Sequence, residues 1–131
     1  MDPVQRYRRA WRLLEDRQPL AAIEILDPAV AAEPASLSLR TLRAWAYFQS
    51  AQLSAAESDL RRIVDTQPTD VWAQFALGRT LERQNRLSDA LPHLRLAAVM
   101  SADTEHEVAV LRVERRLAER GERSYDDLTG G

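Results

Sequence analysis

Small and large apolar residues recur along this chain at intervals of three and four, in blocks that repeat. In the first half of each block a small residue is followed three positions later by a large apolar one. In the second half an Ala is followed four positions later by a Leu. Such intervals put the paired residues on one face of an α-helix. The pattern therefore predicts helices over 3–16, 19–33, 36–50, 53–66, 70–84, 87–100 and 104–120, an all-α fold with alternating helices paired as antiparallel hairpins.

The blocks are offset by 34 positions. Ala22, Ala56 and Ala90 share one column, and Leu26, Leu60 and Leu94 the column four later. Ala10, Ala44 and Gly78 form a small-residue column, with Leu13, Tyr47 and Leu81 three positions on. Pro34 and Pro68 are also 34 apart, while the third copy has Ala102 there. Self-similarity at a fixed period of this length marks a stacked-repeat architecture.

Local signals set the expected helix ends. Asp2-Pro3 reads as an N-cap followed by Pro at the first helical position. Ser54-x-x-Glu57 and Thr104-x-x-Glu107 read as capping boxes, and Asp70 as the cap of the helix containing Trp72. Gly121 is the expected stop of the last helix. Pro92 is expected near a helix start. Pro28 lies inside 19–33, where loss of the bond to the Glu24 carbonyl predicts a kink or an early end.

The period, the small-x-x-large and Ala-x-x-x-Leu columns, and Leu77-Gly78, Leu81, Asn85, Leu87 and Ala90 of the third copy together resemble the tetratricopeptide repeat. The resemblance covers residues 3–104. It implies a right-handed superhelical stack of helical hairpins with repeats at about 3–36, 37–70 and 71–104. A single domain at 1–121 would end in a capping helix at about 104–120, followed by a polar tail at 122–131. Arg6 and Arg9 in the first copy, and Arg40 and Arg43 in the second, depart from the family pattern, which has large apolar residues there.

Composition fits that reading. The chain has 131 residues, 45% of them hydrophobic and 29% charged, with four glycines and six prolines. This is one domain's length, with few strand or loop breakers. The net charge is −2 with interleaved signs, so no long-range field draws the chain to nucleic acid or an anionic membrane. There is no cysteine, which excludes disulfides, thiolate nucleophiles and zinc ribbons. Charges interrupt the N-terminal stretch where a secretion signal needs its apolar run, and no stretch reaches the roughly 18 apolar residues of a membrane span. A cytoplasmic protein is the expectation.

Catalytic chemistry finds little footing. His93 and His106 are the only histidines and fall on different helices without ligand-spaced partners. Glu15-Asp16 and Asp126-Asp127 are adjacent in sequence and so diverge on a helix. Gly78 is isolated within a helix, so no phosphate-binding loop exists. The terminal Gly130-Gly131 would suit an activated tail only on another fold. The expectation is no catalytic residue, no cofactor and no metal.

The aromatics carry the functional signal. In the family, four stripe positions of each first helix line a concave groove. They correspond here to Val4, Tyr7, Trp11 and Leu14, then Ser38, Thr41, Trp45 and Phe48, then Trp72, Phe75, Arg79 and Glu82. Six of the eight aromatics thus share one expected surface. The alternative is that Trp11 and Trp45 pack against neighbouring first helices. The family's clamp of Lys, Asn and Arg for acidic chaperone tails would map to Tyr7, Trp11, Leu42, Trp72 and Ala76, none of which can donate to a carboxylate as the clamp does. The expected function is a non-catalytic protein–protein interaction module. Tyr7, Trp11, Trp45, Phe48, Trp72 and Phe75 would supply apolar contact to a partner helix or extended segment, and Arg79 and Arg83 its charge preference. The rivals are a self-associating structural scaffold, possible as a homo-oligomer, and a small chaperone for a secreted or assembling subunit.

Overall fold

The computed structural model describes residues 1–128, with side-chain surroundings through Gly121. Among these residues are seven helices and no strand: α1 (Pro3–Glu15), α2 (Pro19–Ala32), α3 (Leu37–Gln49), α4 (Leu53–Thr66), α5 (Val71–Arg83), α6 (Leu87–Met100) and α7 (Thr104–Leu128). Each packs on the next, and α1 also touches α3, giving three stacked hairpins closed by α7. No helix here is long and apolar enough to cross a membrane.

The 34-residue period extends to the backbone. Among the described residues, the non-glycine residues with positive φ are Arg17, Ala51 and Asn85, at 57°, 58° and 63°. Each follows the end of a first helix and turns the chain into the second. The following amide reaches back over the turn, from Gln18 to the Leu13 carbonyl (2.8 Å), Gln52 to Tyr47 (2.9 Å) and Arg86 to Leu81 (2.9 Å). Three Schellman turns therefore set the hairpins, each without glycine at its left-handed position.

These turns explain where cap expectations hold and fail. Asp2 forms a full capping box with Gln5, and Asp70 accepts from the Ala73 amide at 3.0 Å. Ser54 is no cap, because the turn starts α4 already at Leu53. Glu57 instead pairs with Arg61 one turn on in α4 and with Arg86 at the start of α6. Thr104 is likewise the first residue of α7, and Asp103 accepts from the Glu105 amide. Pro28 neither ends α2 nor shortens it, since the helix runs on to Ala32. Pro92 is the sixth residue of α6, so it removes the bond to the carbonyl of Ser88, an exposed residue. Gly121 does not stop α7, which continues to Leu128. A side chain at Gly121 would meet nothing within 4 Å, so no backbone requirement calls for glycine there. The terminal Gly130-Gly131 lies outside the described residues.

The repeat columns form the core. Ala10, Ala22, Ala44, Ala56 and Ala90 are fully buried, as are Leu26, Leu60 and Leu94. The small column exists because the second helix crosses there. At Gly78 an added Cβ would lie 2.5 Å from Leu94 Cδ2 and 2.7 Å from its Cγ, a closer crossing than Ala10 and Ala44 allow in their copies. Ala56 fills the reciprocal place in the middle hairpin. Ala56→Leu should overpack it and cost about 1–3 kcal/mol, read as a lower denaturation midpoint at unchanged slope. Melting like wild type would mean the crossing has slack.

Arg40 and Arg43 stand where the family has large apolar residues, and the structure shows what replaces them. Asp59, 2% exposed on α4, accepts from Arg40 Nη1 (3.0 Å) and from Arg43 Nε and Nη2 (2.8 Å each). Arg40 Nη2 also donates to the Pro34 carbonyl at 2.8 Å. The third copy repeats this link in neutral form at the same columns. Gln74 donates to the Pro68 carbonyl (2.9 Å) and its Oε1 takes the His93 Nδ1 proton (2.8 Å). His93 thus takes the place of Asp59 in the third copy's link between its two helices. Burial, then the nearby Arg61 charge, holds His93 below its ordinary value of 6.5. Its neutral form contributes stability present above that value and lost as pH falls through the folded one.

Candidate functional site

The stripe expected on the first helices divides into a core part and an open part. Leu14 is buried at 1% exposure and Glu82 at 5%, so both leave the candidate surface. Val4, Trp11 and Trp72 are exposed, Trp11 by 43% and Trp72 by 40%. Tyr7, Trp45 and Phe48 are half-buried, each with one side on the core.

Three aromatic rings join into one ladder across α1 and α3. Tyr7 and Trp11, one turn apart, lie 6.4 Å between centroids, and Trp11 meets Trp45 edge-on at 5.5 Å. The packing alternative accounts for the Trp11–Trp45 contact. Trp45 packs against its neighbour's helix, and that contact holds Trp11 out toward solvent. Trp11 Nε1 donates to Glu15 at 2.7 Å, which fixes the indole in place.

Arg8 and Arg12 line one cleft with Tyr7, Trp11 and Glu15. Sequence reasoning missed them because single arginines on an exposed face are common. Their signal was the run RYRRAWR, which sets two guanidiniums one turn apart beside the aromatics. Neither forms an ion pair among the described residues, whereas Arg40, Arg43, Arg61, Arg79, Arg86, Arg95, Arg112, Arg115 and Arg116 all do.

At the other end, α7 takes over part of the stripe. His106 stacks on Phe75 with centroids 4.2 Å apart, and its Nδ1 lies 2.7 Å from Ser101 Oγ. Phe75 therefore gives one face to α7. Arg79 lies against Glu82, which also receives Arg112 Nε (2.6 Å) and Nη2 (2.8 Å). Arg83 sits over the Phe48 ring at 4.9 Å and donates to the Phe48 carbonyl at 3.3 Å. Gln49 makes the equivalent bond to Leu14 one copy earlier. Arg83 is thus a rivet between copies, and Arg79 part of the α5–α7 join.

Burial works to raise the Glu82 carboxyl, but the bonds and charges of Arg112 and Arg79 outweigh it and hold the group below its ordinary 4.5. Such a group contributes stability present above its unfolded value and lost as pH falls through the lower folded one. Acid titration below about pH 4.5 should release α7 first, and Glu82→Gln should flatten that arm of the stability profile. An unchanged slope in the variant would assign the acid sensitivity to other carboxylates, such as Glu57.

Comparison with known proteins agrees with this architecture. The tetratricopeptide repeat family model matches residues 7–71 and 41–104, together three quarters of the chain. A direct sequence comparison with curated proteins returns no match. Among solved structures, the first TPR domain of Spaghetti (RPAP3), bound to the HSP90 peptide SRMEEVD, is similar. It has a TM-score of 0.81 at 20% identity, over 88% of this chain and 92% of that one. The first TPR domain of human RPAP3 gives 0.80 at 19% identity, over 91% and 94% of the two chains. A point mutant of MamA gives 0.80 at 16%, over 93% and 72%. These identities speak to the fold alone. With the period, the turns and the family match in agreement, the chain belongs to the tetratricopeptide repeat family.

Proposed function

We propose that the chain is a non-catalytic protein–protein interaction module that captures a partner segment on the first-helix face of α1, α3 and α5. The observation that carries this reading is the Tyr7–Trp11–Trp45 ladder, which holds the Trp11 indole partly in solvent on the first-helix face. An aromatic so held is the usual anchor of an interface. Phe48 and Trp72 extend the apolar contact. Arg8 and Arg12, rather than the engaged Arg79 and Arg83, give a preference for an acidic residue next to the apolar anchor.

Solved relatives in fold hold peptides: RPAP3 domains carry SRMEEVD and SGPTIEEVD. That supports a segment-binding role for this face but not the same ligand. Of the clamp-equivalent positions, Leu42 and Ala76 are buried and the other three are aromatic. The ligand we propose is an amphipathic helix or an extended segment with apolar anchors.

The test is Trp45→Ala. A fully buried Trp replaced by Ala loses about 3–5 kcal/mol of stability. Half-buried Trp45 should lose less, while partner affinity falls about thirty-fold or more, the size of a central hot spot. Partner captured from the native host, then titrated as a synthetic segment against tryptophan emission, gives the measurement. Binding at wild-type strength by the variant sinks the proposal.

A further inference from the structure

Arginines without an ion pair collect at the α1 end of the stack. Arg6, Arg8, Arg9 and Arg12, all on α1, form none among the described residues. Residues 2–17 carry five arginines against three carboxylates, a net charge of +2 in a chain of −2. The 34-residue period shows why two of them are left over. In the second copy Asp59 takes both Arg40 and Arg43, whereas the same column of the first copy, beside Arg6 and Arg9, holds Ile25. Arg8 and Arg12 line the cleft of Tyr7 and Trp11, and past Tyr7 an apolar cleft between α1 and α3 is lined by Val4 and Leu39. Two carboxylates border these clefts. Glu15 is taken by the Trp11 indole, and Glu33 shares a crevice with Arg6. The face therefore joins an apolar cleft to positive charge that the domain itself does not offset.

We propose that the occupant is the segment Tyr125-Asp126-Asp127-Leu128 of a second copy, so that copies join head to tail. This rests on the first-helix face being a segment-binding site and names the segment. The segment sets two adjacent carboxylates between a Tyr and a Leu. The carboxylates answer Arg8 and Arg12, and an apolar neighbour answers the cleft beside Tyr7. Residues 122–131 carry −2, from Glu122, Asp126 and Asp127 against Arg123, opposite in sign to the α1 end. The only other adjacent acidic pair in the chain, Glu15-Asp16, ends α1 itself. α7 runs for 25 residues where α1, α3 and α5 run for 13, and its last inward side chain among the described residues is Leu117. The acidic segment is thus carried past the packed part of the helix. Its own α1 is out of reach. Asp127, six residues after Gly121, extends at most about 20 Å from it. α1 lies three first-helix layers from α7, about 24–30 Å at the spacing of packed helices.

Sedimentation equilibrium of the full chain over about 1–500 μM tests it, a range around the micromolar dissociation expected of a short segment. The mass should rise with concentration and pass that of a dimer, because a head-to-tail contact leaves a free head and a free tail at every step. A chain with Arg8→Glu and Arg12→Glu should stay monomeric at the wild-type melting temperature, since both side chains are exposed. A chain with Asp126→Arg and Asp127→Arg should stay monomeric too. The two mixed in equal amounts should assemble again to within about threefold of wild type, each reversed head meeting a reversed tail. Mixing rescues nothing if each tail folds back on its own chain. A wild-type chain monomeric over the whole range overturns the proposal, as does either charge-reversed chain associating like wild type, or a mixture that stays monomeric. A monomeric wild type that still binds the host's segment in a Trp45-dependent way loses only this occupant. One that binds neither loses the face as well.

Discussion

Asp59→Ala should cost about 3–5 kcal/mol, because it leaves one buried and one part-buried guanidinium without their shared carboxylate. Arg40 is 8% exposed and its Nε has no partner of its own, so Asp59 and the Pro34 carbonyl are its whole compensation. Arg43 keeps only Asp27, at 3.3 Å and half in solvent. A guanidinium stays protonated at any ordinary pH, so neither arginine can relieve the loss by neutralising. Such a cost is a large part of a small domain's stability, and the midpoint in urea should drop at little change in slope. A second variant separates the loss of an ion pair from the loss of a shape. Arg40→Gln, Arg43→Leu and Asp59→His together install the residues that occupy these columns in the third copy. That triple variant should recover at least about half of what Asp59→Ala loses, since replacing a buried ionic set whole costs far less than breaking it. If the triple variant is the less stable of the two, the charges themselves hold α3 to α4.

The same network marks the boundary of what the sequence disclosed. Helices, period and core columns were legible because each is written three times, and a column of Ala10, Ala44 and Gly78 has one packing meaning. Arg40 and Arg43 read only as departures, because their partner is nineteen and sixteen residues away and nothing in Asp59 itself announces burial. The capping boxes misled for a different reason. Ser54-x-x-Glu57 has the right letters, but a Schellman turn at Ala51 had already fixed the start of α4 one residue earlier, and tertiary geometry overrode the local motif. Of the candidate site, the first-helix stripe and the exposure of Trp11 and Trp72 follow from the repeat columns. The covering of Phe75 by His106 does not, because α7 departs from the repeat pattern and its docking rests on Arg112 and Arg116 reaching a buried Glu82.

Ending the chain at Ala102 should therefore do more than trim an end. It uncovers the faces of α5 and α6 on which Ala109 and Val113, 1% and 0% exposed, now lie. Burial of Val113 is worth about 2 kcal/mol, and Phe75 loses the ring stacked on it. Glu82 keeps Arg79 but loses Arg112 and Arg116, and losing those charge-assisted hydrogen bonds costs about 1.5–3 kcal/mol more. A loss of about 5 kcal/mol reaches the whole stability of many small domains. The truncated chain should thus melt far below the full one or aggregate through its open end. Val113→Ala, at full length, should lose only about 2 kcal/mol and stay soluble, which ties the effect to the packed face rather than to chain length. Leu111→Glu, on the outward face of the same helix, should keep the wild-type melting temperature. A truncated chain as stable as the full one would make α7 an arm resting on the stack and not part of it.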